Sequence, residues 1–485
     1  MKNYHVSQLP TTRAFQSWRV VCAVITVCLA GALSSPAQTF TTLADFNQTN
    51  GAAPVETLTQ GIDGNLYGTT LYGGDTAEIG TVFKVTTDGT LTTVYVFCSL
   101  FNCADGEFPY SALVQDQSGN FYGTTEGGIY GQTYGTIFKI TPAGVLTTLH
   151  TFSVTDGDHP KAGLTFGTDG NLYGTTSQGG TNDAGTVFKI TPSGTFTTLH
   201  YFNFSDGNNP ASALIQATNG NFYGTTLFSG ANGGGTIFKI TPAGTLTTLY
   251  NFCSLPNCAD GEFPNGTLIQ AAGGGLWGTT ISGGMNTGCN PNCGTIYKIS
   301  GAGVFKKIYD FCKQPNCADG AQPIAGMVQA TDGSFYGVTT SGGANKVGTI
   351  FKINSAGKFM LLHTFDNTDG ASPNGGLMQS TNGTLYGTTP TAGAGGYGTV
   401  FSLNEGLPAF VETNPTSGKV GSLVIILGNN LTGTTQVTLD GTPAPFTVLS
   451  STEIQTTVPR GARTGSVEVT TPTTTLKSDV VFRVR

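Results

Sequence analysis

Charge is scarce in this sequence of 485 residues. Only 10% of the residues are Asp, Glu, Lys or Arg, against about 25% in an average globular domain. The 21 basic residues form no run and are outnumbered by 28 acidic residues, which gives a net charge of −7. A chain without a basic patch lacks the electrostatic footprint of a nucleic-acid-binding protein. We therefore expect no nucleic-acid partner.

Long apolar runs are equally rare. The main one, from Val20 to Leu33, has 14 residues, whereas a membrane-spanning helix needs about 20. It follows Lys2, Arg13 and Arg19 and precedes small residues ending at Ala37, an order typical of a cleaved export signal. We predict a signal peptide over residues 1–37, no membrane span after cleavage, and an exported protein that is extracellular, periplasmic or on the cell surface. The remaining chain has a net charge of −10.

Helical periodicity is absent as well, whereas glycine, with 71 residues, is abundant. Short runs rich in Thr, Ile, Val, Phe and Tyr alternate with turn dipeptides such as Asp63-Gly64 and Asp169-Gly170. These runs are typical of β-strands and the dipeptides of tight hairpins. The sequence therefore predicts an all-β protein.

A Tyr-Gly-Thr-Thr motif recurs in seven copies at intervals of 50 to 59 residues, one copy reading Trp-Gly-Thr-Thr and one Tyr-Gly-Val-Thr. The copies begin at Tyr67, Tyr122, Tyr173, Tyr223, Trp277, Tyr336 and Tyr386. A repeat of this length is typical of propellers and solenoids. Each copy holds four strand-like runs, called A, B, C and D here in chain order.

The ends of the repeat region distinguish a closed ring from an open stack. The region begins with a D-type run, Thr39 to Phe46, and ends with a C-type run, Gly398 to Leu403. Seven complete sheets result only if the first run joins the last sheet, which is how a propeller closes. An open solenoid would instead leave uncapped edges. We predict a seven-bladed β-propeller.

Strand direction divides the loops between two ends of the predicted ring. The A–B and C–D turns lie at one end, called the A–B end, and are short and uniform. The B–C and D–A loops lie at the other, called the D–A end, and vary in length, as binding loops do. Aromatic side chains in these loops suit stacking on sugars or on other flat ligands, although such rings also pack loop bases. The predicted ligand-binding residues are Tyr72, Tyr130, Tyr134, Phe228 and Tyr397.

Polar residues recur at several positions of the repeat. An Asp-Gly-x-x-Pro motif in the D–A loops suggests an Asp that caps its own turn, with a calcium site as the alternative. One position of strand D alternates between His and Tyr, which indicates a packing role. Gln recurs in strand A, where it either lines an axial channel or satisfies buried backbone groups.

Eight cysteines follow the predicted signal peptide, all in loops of the D–A end. An even number in an exported chain favours disulfides, and four local pairs are predicted. Zinc would need four converging ligands, whereas these pairs come from separate repeats without a nearby histidine. The predicted pairs are Cys98 with Cys103, Cys253 with Cys258, Cys289 with Cys293, and Cys312 with Cys317.

No sequence motif for hydrolysis, metal-assisted proteolysis or phosphate binding is present. Four acids of the D–A end, Glu107, Glu126, Asp158 and Glu262, would have to pair in space to hydrolyse a glycosidic bond, and sequence does not give their separation. We predict no catalytic residue, no cofactor and no metal.

The segments Leu-Tyr-Gly-Thr-Thr, Gly-Thr-Val-Phe-Lys-Ile-Thr-Pro and Leu-Thr-Thr-Leu resemble the GloVer tandem repeats of exported bacterial proteins. The repeats stop near Pro408, and the C-terminal segment beyond it, with Asn414-Pro415, Gly428-Asn429 and Val458-Pro459, is similar to an IPT/TIG domain. This resemblance implies an immunoglobulin-like β-sandwich. The expected domains are the propeller over 38–405 and the sandwich over 406–485.

Two functions compete at this stage. The first is a monomeric, non-catalytic binding or structural protein, in which the propeller recognises a glycan or a cell-surface protein and the IPT/TIG domain acts as a spacer or docking module. The second is a polysaccharide-active enzyme, a glycoside hydrolase or lyase, on the propeller. The regularity of the repeats favours binding, because a catalytic site usually makes one or two repeats chemically different.

Overall fold

The computed structural model describes Met1 and residues 38–74, 78–127, 134–286 and 293–485. Apart from Met1, the predicted signal peptide lies outside these residues. Within the described ranges, no helix has the length and hydropathy that crossing a bilayer requires. Their helical segments are short 3-10 turns: Phe101–Cys103, Pro256–Cys258 and Pro315–Cys317.

In the described part of the chain, the repeats form seven four-stranded antiparallel sheets, numbered here in chain order. The strand β1 (Thr39–Asp45) precedes sheet 1, which contains β2 (Thr59–Gln60), β3 (Leu66–Thr70), β4 (Thr81–Val85) and β5 (Leu91–Val96). Sheet 2 contains β6 (Val114–Gln115), β7 (Phe121–Thr125), β8 (Thr136–Ile140) and β9 (Leu146–Thr151). Sheet 3 contains β10 (Thr165–Phe166), β11 (Leu172–Thr176), β12 (Thr186–Ile190) and β13 (Phe196–Tyr201).

The remaining sheets repeat this order of strands A to D. Sheet 4 contains β14 (Ile215–Gln216), β15 (Phe222–Thr226), β16 (Thr236–Ile240) and β17 (Leu246–Asn251). Sheet 5 contains β18 (Ile269–Gln270), β19 (Leu276–Thr280), β20 (Thr295–Ile299) and β21 (Phe305–Asp310). Sheet 6 contains β22 (Val328–Gln329), β23 (Phe335–Thr339), β24 (Thr349–Ile353) and β25 (Phe359–Thr364). Sheet 7 contains β26 (Met378–Gln379), β27 (Leu385–Thr389) and β28 (Thr399–Asn404), with β1 as its fourth strand.

The first and last repeats join as predicted. The strand β1 pairs antiparallel with β28, from Thr39 opposite Asn404 to Asp45 opposite Thr399. Sheets 1 and 7 also meet at their inner strands, where the side-chain oxygen of Gln60 accepts the backbone N–H of Thr381 at 2.9 Å. The propeller prediction is therefore confirmed.

The Tyr-Gly-Thr-Thr motif owes its composition to packing between strands B and C. All five residues of β3 are buried. A Cβ on Gly68 would lie 2.6 Å from the ring of Phe83 on β4, so glycine leaves room for that ring. The hydroxyl of Thr70 lies 2.8 Å from that of Thr81, which satisfies two buried polar groups at once.

The C-terminal region forms a sandwich of two four-stranded sheets, the immunoglobulin-like arrangement that was predicted. One sheet has the order β29 (Glu412–Asn414), β31 (Leu423–Leu427), β35 (Glu453–Thr457), β34 (Phe446–Val448). The other has the order β33 (Thr442–Pro443), β32 (Gln436–Leu439), β36 (Val467–Thr470), β37 (Thr475–Lys477). The strands β30 (Ser417–Gly418) and β38 (Arg483–Val484) pair in parallel beside them. Val424, Ile426, Val437, Ile454 and Val469 form its core.

The immunoglobulin-like domain covers the A–B end of the propeller. Its hydrogen bonds reach the A–B turns of sheets 1, 2, 3, 4 and 7. They join Thr452 to Ile62, Gln117 to Asn414 and Leu423, Arg485 to Thr168, Arg483 to Thr218, and Asn429 to Thr381. Contacts around so much of the ring mean that the domain lies across the propeller axis.

Candidate functional site

The recurrent Gln of strand A joins neighbouring sheets at the A–B end. In six sheets its side-chain oxygen accepts a backbone N–H from the A–B turn of the preceding sheet, at 2.8 to 3.0 Å. The glutamines are Gln60, Gln115, Gln216, Gln270, Gln329 and Gln379. Sheet 3 has Phe166 at this position. These residues satisfy backbone groups, which was one of the two alternatives, and Gln379 also lines a cavity on the propeller axis, which was the other.

The Asp of the D–A loops connects each loop to its preceding strand D. Where strand D has His, the imidazole Nε2 lies within 3.1 Å of the carboxylate: His150 and Asp156, His200 and Asp206, His363 and Asp369. Where it has Tyr, the hydroxyl donates to the carboxylate within 2.8 Å: Tyr95 and Asp105, Tyr250 and Asp260, Tyr309 and Asp319. The carboxylates also accept loop N–H groups, as Asp206 does from Asn203 at 2.9 Å. The His and Tyr residues exchange because each donates one hydrogen bond to the same acceptor.

Each of the three loops with a Tyr–Asp pair also contains a disulfide. The bonds join Cys98 to Cys103, Cys253 to Cys258, and Cys312 to Cys317, as predicted. Cys289, the partner predicted for Cys293, lies outside the described residues. Because disulfides persist in oxidising compartments, these bonds agree with an exported protein.

The five aromatic residues predicted to bind ligand do not form one patch in the described part of the chain. Tyr72, Tyr134, Phe228 and Tyr397 are between 39% and 47% exposed and belong to sheets 1, 2, 4 and 7, whereas Tyr130 lies outside the described residues. Two of them pack edge-on against another ring: Tyr72 against Phe108 at 5.8 Å and Phe228 against Phe263 at 5.2 Å. Their role in binding stays a prediction.

A cavity of about 680 Å³ lies on the propeller axis. All seven repeats line it with the residue that follows the Pro of the D–A loop: Val55, Tyr110, Lys161, Ala211, Asn265, Ile324 and Asn374. They line it again two residues later with small side chains: Thr57, Ala112, Gly163, Ala213, Thr267, Gly326 and Gly376. Alternate residues of an extended segment point the same way, which explains this spacing.

Charged groups concentrate at one side of the cavity mouth, on sheets 1 to 3. The Lys161 ammonium lies 2.9 Å from the carboxylate of Glu126 and 5.8 Å from the centre of the Tyr110 ring. Burial raises the pKa of Tyr110 to about 12, and the nearby charges of Glu56 and Glu126 add to this increase. Glu126, one of the acids noted in the sequence, is therefore paired with a lysine.

The other acids noted in the sequence have different surroundings. Asp158 pairs with the neighbouring His159, and its carboxylate raises the pKa of that imidazole. Glu262 lies 3.6 Å from the sulfur of Cys253, and Glu107 is fully buried. Each of these acids lies in its own loop, and Glu126 as well as Asp158 raises the pKa of His159.

Two further carboxyl groups belong to the cavity, and sequence reasoning missed both. Glu56 lies near the mouth, and Glu412, from the immunoglobulin-like domain, forms part of the floor. Burial raises the pKa of each to about 8, and the negative charge of Asp479 contributes at Glu412. Both carboxyls therefore hold a proton at neutral pH for most of the time.

A comparison of the repeats could have found part of this site. The residue after the Pro of the D–A loop is Val, Tyr, Lys, Ala, Asn, Ile or Asn, so it differs in nearly every copy. Such variation at one position of a regular repeat indicates a functional surface, and it singles out Tyr110 and Lys161. No comparable pattern points to Glu412, because it reaches the cavity only through the docking of another domain.

Solved structures with a similar fold include virginiamycin B lyase from Staphylococcus aureus. That structure has a TM-score of 0.50 and 17% identity, and the alignment covers 76% of this chain and 98% of the lyase. Another is the extracellular domain of a hybrid two-component system from B. thetaiotaomicron, with a TM-score of 0.49, 12% identity, and coverage of 93% and 60%. At such identities the similarity concerns the fold alone.

Family comparisons assign both parts of the chain. Residues 408–483 match the IPT/TIG domain. No curated protein matches the sequence. The Gloeobacter/Verrucomicrobia repeat matches three overlapping segments, 32–168, 130–315 and 284–443. Since these segments together include most of the sequence, the chain belongs to the Gloeobacter/Verrucomicrobia repeat family.

Proposed function

We propose that this is an exported, non-catalytic binding protein whose D–A end recognises a glycan or a protein on a cell surface. The observation that carries the proposal is the difference between the two ends of the ring. The immunoglobulin-like domain covers the A–B end through contacts with the turns of five sheets. Recognition is therefore assigned to the opposite end, with the IPT/TIG domain as a docking module.

Exposed aromatic rings support this assignment. Tyr72, Tyr134, Phe228 and Tyr397 are each about two-fifths exposed at the D–A end. Rings that are anchored at one edge and open on one face lose little conformational entropy on binding and stack on the apolar faces of sugars. A flat polymer or protein surface would contact several of these separate rings at once.

Pairing among the polar groups supports binding without turnover. Lys161 is held by Glu126, and His159 is held by Asp158. The other described histidines each lie beside an Asp that caps the following loop. These groups stabilise the loops, and their hydrogen-bonding capacity is used there.

One observation favours an enzyme as the second candidate. Glu56, whose pKa is raised to about 8, and Glu126, which is ion-paired, both act on the pKa of Tyr110 at the cavity mouth. Two carboxyls in different protonation states are the pattern of a glycosidase. A polysaccharide-active enzyme would therefore use Glu56 as the acid and Glu126 as the base or nucleophile.

A glycan array and a polysaccharide-degradation screen on the purified protein test the two candidates together. We expect binding that is weakened in a Tyr72→Ala or Phe228→Ala variant, with no chain cleavage. Val145→Ala is the control, because Val145 is exposed on the C–D turn at the opposite end. Cleavage that Glu56→Gln or Glu126→Gln abolishes would refute the binding proposal, and silence in both assays would favour a protein partner over a glycan.

A further inference from the structure

The axial cavity is large enough for a small molecule, and the immunoglobulin-like domain contributes to its inner end. Its volume of about 680 Å³ lies within the range of about 300–1,000 Å³ that is usual for ligand pockets. Glu412 of the immunoglobulin-like domain lies at the floor, below the inner strands of the sheets. Since the immunoglobulin-like domain lies across the ring at this end, an occupant would enter from the D–A end.

Apolar side chains make up much of the cavity wall below the mouth, together with the polar Thr57, Ser212, Thr267 and Gln379. The ring of small residues that includes Ala112, Gly163 and Ala213 gives way, deeper in, to Val114, Ile269, Val328 and Met378. These side chains offer no hydrogen bonds to a ligand. An alkyl chain fits such a wall, because burying each methylene there is favourable and leaves no polar group unpaired.

The floor of the cavity carries a carboxyl group, that of Glu412, which has no cationic partner among the described residues. In the part of the chain that the structure describes, no hydrogen bond or ion pair reaches the Glu412 carboxyl. The charged group that acts on it is Asp479, which has the same sign. Arg483 lines the adjoining cavity, but its guanidinium donates to the carbonyl of Thr218 at 3.0 Å. An ammonium group would supply the missing positive charge.

The mouth has the same electrostatic preference. It carries the carboxyls of Glu56 and Glu126, and the nearby cation, Lys161, is already paired with Glu126. At neutral pH the Glu126–Lys161 pair is neutral and Glu56 and Glu412 are mostly protonated, so a negative surplus from mouth to floor develops as the pH rises towards 8. A ligand carboxylate or phosphate would be repelled along this path, whereas a cation would be attracted.

We propose that the axial cavity binds an elongated organic cation, an alkyl chain with a protonated primary amine, whose ammonium group contacts Glu412 while its chain lies against Val114, Ile269, Val328 and Met378. This site goes beyond the recognition function assigned to the D–A loops and does not depend on it. An amine at the floor would pair a buried carboxylate that otherwise has no partner.

Binding of an amine at this position depends on pH. The pKa of Glu412 is raised to about 8 by burial and by Asp479, so an ammonium ion must displace a proton at neutral pH. The groups around it are Asp479 and Arg483 at the floor, and Glu56, Glu126, Lys161 and Tyr110 at the mouth. Affinity should rise by up to about tenfold per pH unit between pH 6 and 8, while a primary amine stays protonated.

Isothermal titration calorimetry on the full mature chain provides the test. The probes are butylamine, hexylamine and octylamine, with hexan-1-ol and hexanoate as isosteric controls. We expect the amines to bind more tightly than the alcohol, hexanoate not to bind, and each added methylene to tighten binding by about fourfold. No binding by any amine, or equal affinity for amine and alcohol, would overturn the proposal.

Variants locate the site. Glu412→Gln should weaken hexylamine binding between about tenfold and a hundredfold and leave the affinity for hexan-1-ol unchanged. Glu468→Gln removes a charge from an exposed ion pair with Lys477 in the same domain and is the matched control. Ala213, which leads into sheet 4, belongs to the ring of small residues that lines the cavity. Ala213→Phe should fill the cavity at this ring and block binding of amine and alcohol alike, so the test does not rest on one variant.

Either of two results for the variants would contradict the site: unchanged amine affinity in Glu412→Gln, or unchanged amine affinity in Ala213→Phe. The pH series on the wild-type protein gives an independent answer, since a flat profile from pH 6 to 8 excludes Glu412 as the partner. Because no glycan or cell-surface protein is present, failure here leaves recognition by the D–A loops unaffected, and a silent glycan array leaves the amine site unaffected.

Discussion

The two ends of the propeller are built from the same repeats and differ in how they are stabilised. At the A–B end, Gln side chains join six of the seven sheets to the preceding sheet, and the immunoglobulin-like domain lies across the turns. At the D–A end, six of the seven D–A loops contain an Asp paired with the His or Tyr of the preceding strand, and three of these loops also contain a disulfide. A uniform end therefore suits docking, and independently held loops are free to vary in sequence.

The largest expected effect comes from breaking the ring, on which both ends depend. Phe46 follows β1, is fully buried and lies edge-on to Phe83 of sheet 1 at 5.0 Å. We expect Phe46→Ala to cost about 3–5 kcal/mol of unfolding free energy. Deletion of residues 39–46 should abolish cooperative unfolding, because β28 would lose its outer neighbour.

Urea unfolding followed by circular dichroism measures both changes. Phe101→Ala is the control, since Phe101 is 89% exposed at the D–A end and its truncation should cost less than about 0.5 kcal/mol. A deletion variant that kept the parent's cooperative transition would contradict the closed ring.

The closed ring could be predicted because the same pattern of strands recurs in every repeat of the sequence. Seven copies of one motif define the strands, and the unpaired D-type run at Thr39 to Phe46 requires its complement in the last sheet. Pairing of β1 with β28 confirms this. The alternation of His and Tyr in strand D similarly predicted a packing role, although it did not point to the Asp partner.

The cavity could not be predicted in the same way, because its floor depends on contacts that occur once. Gln117 stands in the turn of sheet 2, next to the sheet in which Phe166 replaces the recurrent Gln, and it binds the carbonyls of Asn414 and Leu423. A contact that occurs only once is not accompanied by a recurring residue in the sequence. The aromatic candidates were chosen by residue type and loop position, and the described ones lie outside the cavity lining.

The next largest effect is a pH dependence of the folding stability at the A–B end, where Glu412 lies. The pKa of Glu412 rises from 4.5 to about 8 on folding, because burial and Asp479 disfavour the charged form. The folded state then holds a proton that the unfolded state loses, so its stability is complete below pH 4.5 and falls as the pH rises to about 8. We expect Glu412→Gln to be more stable than wild type by about 1–3 kcal/mol at pH 8.5, since water in the cavity solvates part of the charge.

Chemical unfolding at pH 4.5 and pH 8.5 compares the two proteins. At the lower pH the difference should disappear, because both side chains are then neutral. Glu468→Gln tests the specificity of the effect, since Glu468 lies in the same domain, in an exposed ion pair with Lys477. A constant difference at both pH values would mean that the Glu412 carboxyl is not buried at this interface.

A smaller effect concerns the disulfides, which distinguish three D–A loops from the others. Each closes a loop of about six residues, for which chain entropy gives about 2 kcal/mol. We expect Cys98→Ser with Cys103→Ser to lose up to this amount in urea unfolding and to leave the Tyr95–Asp105 pair in place. Alkylation of the unreduced protein, read by mass spectrometry, should label none of the six cysteines described as bonded, and labelling of all six would contradict the pairing.

The smallest expected effect isolates the docking of the immunoglobulin-like domain. Gln117→Ala removes two hydrogen bonds, to the carbonyls of Asn414 at 3.1 Å and Leu423 at 3.0 Å. The loss should be about 1 kcal/mol, because each hydrogen bond replaces one to water. Hydrogen exchange should become faster in β29 and β31 and stay unchanged in the D–A loops. Gln178→Ala, at an exposed position of the D–A end, is the matched control and should change neither. Faster exchange throughout the propeller would mean that docking stabilises the whole ring, and the two ends would then be coupled rather than independent.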